Sequence, residues 1–361
     1  MSTGTAPSRS LPRRIAWYGI RLAAVATVAV LVVWRLDWGA LRAAFQLQSW
    51  GFVTLAICAN ALSVLFKGVA WKGVIDALPA VRRPVRLRRL ISPLFIGFLF
   101  NTVLAARVGE IAKVLLVRRK LAADDVNLRT TTLLGSVLAE NLVSTITWVA
   151  LVLGIGLFLP LPSYAWITAI VLGVACLVIV VVALLSSPGR QVPPWLRTGP
   201  LWARATRAFA RLWGAVRESH LGLREPKRMG GVVAASLATW GAQWAGIYCT
   251  LVAFGLERVG WGGAGLLLVT VTLAQTFPVL PGNLVLFQAA AVVPLTASYG
   301  VSTPDAIAFS IVLQATEVVV GVAIGFICLL VEGVGFRQLR AEAEEEERHR
   351  LEGPVDTLGG A

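Results

Sequence analysis

The sequence predicts an all-α, polytopic membrane bundle with about six full spans and two opposed re-entrant hairpins. Hydrophobic residues make up 57% of the 361 residues and charged residues only 14%, and the mean hydropathy is +0.75. Soluble domains of this length do not carry such a composition. The apolar residues also form long continuous runs, and the basic residues cluster between those runs.

The distribution of charge indicates a membrane topology rather than nucleic-acid binding. The formal net charge is +14, yet the cations are not interleaved with stacking aromatics in a soluble domain. Excess Lys and Arg between apolar runs is typical of cytoplasmic loops. We therefore expect a location in the cytoplasmic membrane, with both termini cytoplasmic, and no nucleic-acid partner. The tail 1–14 precedes a single transmembrane domain, 15–331, and a charged cytoplasmic tail, 332–361, follows it.

Apolar runs of sufficient length define the spanning helices, because a bilayer-crossing helix needs about 20 apolar residues. The first run has no small-residue cleavage site after it, so we expect a retained span rather than a signal peptide. The six predicted spans are Ile15–Trp34, Trp50–Trp71, Thr130–Leu159, Trp166–Leu185, Gly231–Gly255 and Asp305–Val331.

Between the second and third spans, Ile91–Val117 has strongly basic segments on both sides, so both of its ends favour the cytoplasm. The simplest solution is a hairpin that enters from the cytoplasm and turns near Asn101 to Arg107. It carries Arg107-Val108-Gly109-Glu110, with Gly109 at the helix break, where hydrocarbon would be expected. A full span whose charges lie at the interface is the alternative.

A second interrupted segment, Gly262–Leu295, lies in the second half of the chain. Proline lacks the backbone donor and clashes with the preceding turn, so Pro278 and Pro281, followed by Gly282, break any continuous helix. We predict a second hairpin here, entering from the external side.

The two hairpins belong to two similar halves, about 50–159 and 231–331. Each half contains a span, a hairpin and a span with a buried acid. Glu110 precedes Glu140 by 30 residues, and Gln288 precedes Glu317 by 29. Inverted repeats with broken helices that meet near the midplane are a transporter architecture. Coincidence within an apolar sequence is the alternative.

Polar residues within these apolar segments are the candidate site. A buried carboxylate is neutralised or paired, and we expect Arg107 and Lys113 to pair with the glutamates of the first half. The residues are predicted to line a groove for a lipid headgroup; structural ion pairs that hold the hairpins are the alternative. The candidate groove residues are Arg107, Glu110, Lys113, Glu140, Asn141, Asn283, Gln288, Gln314 and Glu317.

The long basic loop 186–230 contains aromatic residues at helical spacing, with Arg204, Arg207 and Arg211 on another face. This pattern predicts an amphipathic helix on the anionic inner leaflet. A linker helix packed on the bundle is the alternative.

No constellation for catalysis or metal binding is evident, so we expect a protein that is not an enzyme and has no cofactor. The sequence has no Ser-His-Asp set, no HExxH and no glycine-rich phosphate loop, and its two histidines are isolated. The four cysteines lie in separate apolar runs and suggest no disulfide framework.

These motifs together resemble the lysylphosphatidylglycerol synthase transmembrane-domain family, flippase-like proteins of bacteria and archaea. The resemblance rests on Asn101 with Arg107-Val108-Gly109-Glu110, on Glu140, and on the break Pro278-x-x-Pro281-Gly282 with Tyr299-Gly300 downstream. The family usually has glycine at Asn283, an acid at Gln288 and arginine at Asn141. The chain carries no transferase domain, so we do not expect lysyl-lipid synthesis.

The resemblance implies a protein that moves a polar-headed phospho- or glycolipid between leaflets, with membrane lipids as its partners. A scaffold that recruits an envelope glycosyltransferase through the loop 186–230 is the alternative. Neither the lipid nor the oligomeric state follows from the sequence.

Overall fold

A computed structural model describes residues 49–103, 108–158, 225–276 and 284–332, with Ser163, Trp166, Ile167, Ile170, Val171, Gly173 and Val174. All of them belong to one compact unit, Leu47–Ala361. Regular structure within these ranges is entirely helical, which confirms the predicted all-α class.

The described helices follow the predicted order of long and short segments. A 3₁₀ turn, Glu257–Val259, precedes the helix Gly260–Thr276, and a π-helical turn, Val320–Ile324, joins the helices Thr303–Val319 and Gly325–Glu332. The helices are α1 Trp50–Asp76, α2 Arg88–Val103, α3 Val108–Ala122, α4 Thr130–Phe158, α5 Pro226–Ala253, α6 Gly260–Thr276, α7 Leu284–Tyr299, α8 Thr303–Val319 and α9 Gly325–Glu332.

Three segments of the described part are long and apolar enough to cross a bilayer: α1, α4 and the continuous run Thr303–Glu332. The helix α5, predicted as a span, has 28 residues but is less apolar and is not among the three. The predicted span Ile15–Trp34 and most of Trp166–Leu185 lie outside the described residues.

The helices α2 and α3 form an antiparallel pair. Near its tip, the Gly109 amide donates to Asn101 Oδ1 at 3.0 Å, and towards its base Lys120 Nζ donates to Ser92 Oγ at 3.3 Å. The helices have 16 and 15 residues, so each is about 23 Å long, shorter than a hydrocarbon core of about 30 Å. Their geometry suits the predicted hairpin.

The helices α6 and α7 form a second antiparallel pair. Thr270 Oγ1 donates to the Ala290 carbonyl at 2.8 Å, and a β-carbon on Gly263 would lie 2.9 Å from Tyr299 Cζ. The helix α6 ends at Thr276 and α7 begins at Leu284, on either side of the predicted break, and residues 277–283 are outside the described part.

The two pairs have their bases at opposite ends of the bundle. Arg228 Nη1 at the start of α5 donates to the Asp76 carbonyl at the end of α1, close in sequence to the start of α2. The helix α6 begins at Gly260, seven residues after α5 ends at Ala253, and the Trp261 carbonyl at its start accepts a hydrogen bond from Trp244 Nε1, in the second half of α5. We call the end that carries Lys72, Arg89, Lys120 and Arg228 the basic end.

Between the halves, α1 and α5 pack antiparallel along small residues, which allow a close approach of membrane helices. A β-carbon on Gly73 would lie 2.7 Å from Val232 Cγ2, and one on Gly246 would lie 3.4 Å from the Ala56 carbonyl. The first helix of each half is therefore the partner of the first helix of the other half.

Each hairpin packs against the last helix of the opposite half. A β-carbon on Gly325 of α9 would lie 2.5 Å from the Phe95 carbonyl of α2. In the mirrored contact, Leu266 and Val269 of α6 share a buried cluster with Trp148 and Val152 of α4. This exchange of contacts is the pattern expected of an inverted repeat.

Polar contacts close the first hairpin at the basic end. Glu332 accepts hydrogen bonds from Ser92 and Lys120, which ties α9 to both arms of the hairpin. Arg89 forms two hydrogen bonds with Asp124, in the turn after α3. The base of the hairpin is thus fixed while its tip extends into the bundle.

Candidate functional site

An ion pair joins α1 and α4 well inside the bundle. Lys67 Nζ lies 3.1 and 3.0 Å from the two carboxylate oxygens of Glu140, and 3.3 Å from Asn141 Oδ1. Lys67 precedes the end of α1 by nine residues and Glu140 follows the start of α4 by ten, so both lie about 14 Å or more from the basic end. An unpaired charge at the bilayer centre costs about 2.5–3.5 kcal/mol or more, so the pairing makes this depth tolerable.

A second ion pair lies at the tip of the first hairpin. Lys113 Nζ is 2.5 Å from Glu110 Oε2, and Asn101 Nδ2 donates to Glu110 Oε1 at 3.4 Å. Glu110 occupies the first turn of α3, where the helix dipole favours a negative charge. The Lys113 side chain is only 5% exposed, so this cation is held inside the bundle.

Gly109 brings the two arms of the hairpin together. We predicted this residue at the helix break, but it lies just inside α3, which begins at Val108. A β-carbon on Gly109 would lie 2.0 Å from the Gly97 carbonyl and 2.6 Å from Asn101 Oδ1. The absence of a side chain therefore allows Asn101 to reach both Gly109 and Glu110.

Trp71 lies between the two ion pairs. Its indole Nε1 donates to Ser136 Oγ at 3.0 Å, and Lys113 Nζ lies 5.2 Å from the centroid of its ring. Trp71 is one helical turn after Lys67, and Ser136 is one turn before Glu140. Trp71 thus contacts Lys113 of the second ion pair directly. Its hydrogen bond to Ser136 joins α1 to α4, as the Lys67–Glu140 pair does.

In the second half, glutamine side chains make most of the polar contacts between the described hairpin helices and α8. Gln288 of α7 donates from Nε2 to Gln314 Oε1 at 3.0 Å and accepts from the Ser310 hydroxyl through Oε1. Gln275, near the end of α6, donates to Glu317 Oε2 at 2.8 Å. Polar side chains of the second hairpin are therefore joined to α8, as those of the first half join α1, α3 and α4.

The ion pairs of the first half differ in part from the predicted ones. We predicted Arg107 and Lys113 as the partners of the first-half glutamates; Lys113 contacts Glu110, but Glu140 pairs with Lys67. Sequence reasoning missed Lys67 and Gln275. The signal for Lys67 was available, since it is a charged residue within the predicted span Trp50–Trp71.

Other predicted site residues lie outside the described part of the chain, so their roles remain predictions. They are Arg107 at the first hairpin tip, Pro278, Pro281, Gly282 and Asn283 at the second break, and Arg204, Arg207 and Arg211 in the basic loop.

The helical bundle, its apolar spans and its internal ion pairs define a polytopic membrane protein. The chain matches the family described as Lysylphosphatidylglycerol synthase TM region over residues 18–325, and therefore belongs to that family. The family points to a membrane protein of lipid metabolism or transport. Neither a curated protein nor a solved structure matches the chain.

Proposed function

We propose that this protein is flippase-like and moves a polar-headed phospho- or glycolipid between the leaflets of the cytoplasmic membrane. The observation that carries the proposal is the presence of two ion pairs, Lys67–Glu140 and Lys113–Glu110, on either side of Trp71 inside a mainly apolar bundle. Ionisable residues within membrane spans are expensive and typically mark a pathway for a polar ligand.

The arrangement of the hairpins supports the same proposal. A lipid headgroup must be accepted from one leaflet and released to the other, which requires access from each side in turn. Two short helix pairs with bases at opposite ends of the bundle, each packed on the last helix of the other half, suit a mechanism in which the halves rock against each other. The lipid chains would remain in the bilayer while the headgroup follows the polar residues.

Leaflet-resolved lipid mass spectrometry on cells that lack the gene tests the proposal. We expect one lipid class to accumulate in the inner leaflet, and complementation with the wild type to correct this. Glu110→Gln should fail to correct it, because the substitution removes the charge that pairs with Lys113. Glu257→Gln, an exposed glutamate beyond the spans, is the matched control and should complement fully.

The alternative of a scaffold for an envelope glycosyltransferase predicts a different result. Leaflet composition would then be unchanged, an envelope glycan would be lost, and Glu110→Gln would complement. Neutralising Arg204, Arg207 and Arg211 would abolish the scaffold phenotype but leave lipid transport largely intact. Either set of results contradicts the other function.

A further inference from the structure

We infer that Lys67 is the cation that binds the phosphate of an anionic lipid headgroup, and that Glu140 is the internal anion which the phosphate displaces from it. The inference rests on the proposed lipid translocation and names the substrate class. It assigns a ligand-binding role to a residue of α1 that the sequence motifs do not include.

The ammonium of Lys67 has three hydrogen-bond acceptors, which a ligand could replace. An ammonium has three N–H donors, and the three acceptors on Lys67 Nζ are the two oxygens of Glu140 and Asn141 Oδ1. All three belong to two consecutive residues of α4. An incoming phosphate oxygen can therefore replace one or more of them without breaking any contact between other helices.

The exposure of the two partners is unequal, and the cation is the accessible one. The Lys67 side chain is 21% exposed, whereas that of Glu140 is 3% exposed. A ligand that reaches this pair therefore meets the side chain of Lys67 before that of Glu140, which favours an anion over a cation. A lysine with a purely interfacial role would extend its stem towards the aqueous end of the helix; Lys67 instead turns to α4.

Among the described residues, the neighbouring helices offer no equivalent cation to a ligand at this level. The helix α5, which packs against both α1 and α4, has no charged residue after Arg228 at its start. The helix α6 carries no charged residue. On α3, Lys113 is nearly buried between Glu110 and the ring of Trp71. Lysine binds phosphate as a compact point charge, so Lys67 is the group suited to this role.

The test compares two fluorescent lipids in vesicles that contain the full-length protein. One lipid is phosphatidylglycerol with a labelled acyl chain, and the other is a galactosyl diacylglycerol with the same label and no phosphate. Transport is followed by quenching of the label in the outer leaflet. Binding of unlabelled phosphatidylglycerol to the protein in detergent is measured in parallel, in competition with inorganic phosphate.

The single variants are expected to act in opposite directions on binding. Lys67→Met should weaken phosphatidylglycerol binding about ten- to a hundredfold, the range for one charge-assisted hydrogen bond, and Lys67→Arg should restore part of it. Glu140→Gln should strengthen binding, because it removes the competing anion. The matched control is Lys72→Gln, a lysine five residues after Lys67 on the same helix that pairs with Asp76 at the basic end; it should change neither binding nor transport.

The double variant Lys67→Met/Glu140→Gln separates binding from folding. Replacing both members of a buried pair is often neutral for stability, so the double variant should fold and yet not bind phosphatidylglycerol. If it regains phosphatidylglycerol transport, the pair is structural and the inference is wrong. A Glu140→Gln variant that binds more weakly than the wild type would likewise overturn it.

The arms of the experiment distinguish this inference from the proposed function. If the wild type moves neither lipid, the proposed function fails. If Lys67→Met moves both lipids as the wild type does, translocation stands and the role of Lys67 falls. Displacement of the lipid by millimolar inorganic phosphate would assign the site to a free anion and would contradict a lipid headgroup as its ligand.

Discussion

Gly109 lies against the carbonyl of Gly97 so closely that a β-carbon on Gly109 would be 2.0 Å from that oxygen. The contact joins the two arms of the first hairpin at the level of Asn101 and Glu110. Because neither glycine has a side chain, the amide of Asn101 can reach Gly109 and Glu110. This contact helps to hold the Glu110–Lys113 ion pair at the tip of a short apolar hairpin.

The first prediction concerns this contact. Gly109→Ala should lower the free energy of unfolding by about 1–3 kcal/mol, the usual effect of overpacking, because the opposing atom is backbone and cannot turn aside. Gly154→Ala is the matched control, since a β-carbon on Gly154 meets nothing within 4 Å. Thermal unfolding of both variants in the same detergent measures the difference. Equal melting temperatures would show that the hairpin arms are not packed through Gly109.

A second prediction concerns the stability of the Lys67–Glu140 pair. Lys67→Met leaves a carboxylate that is 3% exposed without its cation, and breaking a buried pair in this way costs about 3–5 kcal/mol. Because Lys67 is partly exposed, we expect a value near the lower limit. Adding Glu140→Gln should recover most of the loss in the same unfolding assay, and failure to recover it would mean that Lys67 stabilises the fold through other contacts.

The third prediction concerns the dependence of stability on pH. Two hydrogen bonds from Arg89 hold the pKa of Asp124 below its usual value, in the turn after α3. A carboxyl with a lowered pKa in the folded state stabilises that state above its unfolded pKa, about 3.9. This contribution is lost as the pH falls from there through the folded pKa.

Asp124→Asn should therefore reduce stability at neutral pH and make no difference at the acid end of a series from pH 7 to pH 3. The melting temperature at each pH, relative to the wild type, gives the measurement. Asp125→Asn, in the same turn, is the control. A difference between Asp124→Asn and the wild type that stays constant with pH would exclude the ionised Asp124 as its source.

A fourth prediction concerns the orientation of the two hairpins. In a variant without the native cysteines, Asp125→Cys after α3 and Ser298→Cys near the end of α7 should react with an impermeant maleimide from opposite sides of the membrane. Both positions are exposed and outside the buried core. Labelling of both from the same side would contradict the inverted arrangement.

Much of the fold could be predicted from local patterns in the sequence. The ends of α4 agree with the predicted span Thr130–Leu159 within one residue, because a continuous apolar run marks a spanning helix without reference to the rest of the chain. The break between α6 and α7 was likewise predicted from Pro278, Pro281 and Gly282 alone. These features depend on backbone chemistry and hydropathy, which are local.

The interruption of the last span by a π-helical turn was not predictable in the same way. Val320–Ile324 contains no proline, and its sequence is as apolar as its surroundings. Its Gly321 lies beside Thr102 and Phe98 of α2, and Gly325 follows immediately with its own close contact to α2. The need for these glycines arises only when the hairpin of the other half packs against them.

The sequence by itself determined the class of protein, the proline-marked break between α6 and α7 and the presence of buried charge, because each depends on the local backbone and on the transfer of local groups from water to hydrocarbon. Only the tertiary structure decided which charges meet. Lys67 and Glu140 are 73 residues apart, and any of several cations could have neutralised that carboxylate. The packing of α1 against α4 determines the partner, because it brings the Lys67 ammonium to 3.0 Å from the Glu140 carboxylate.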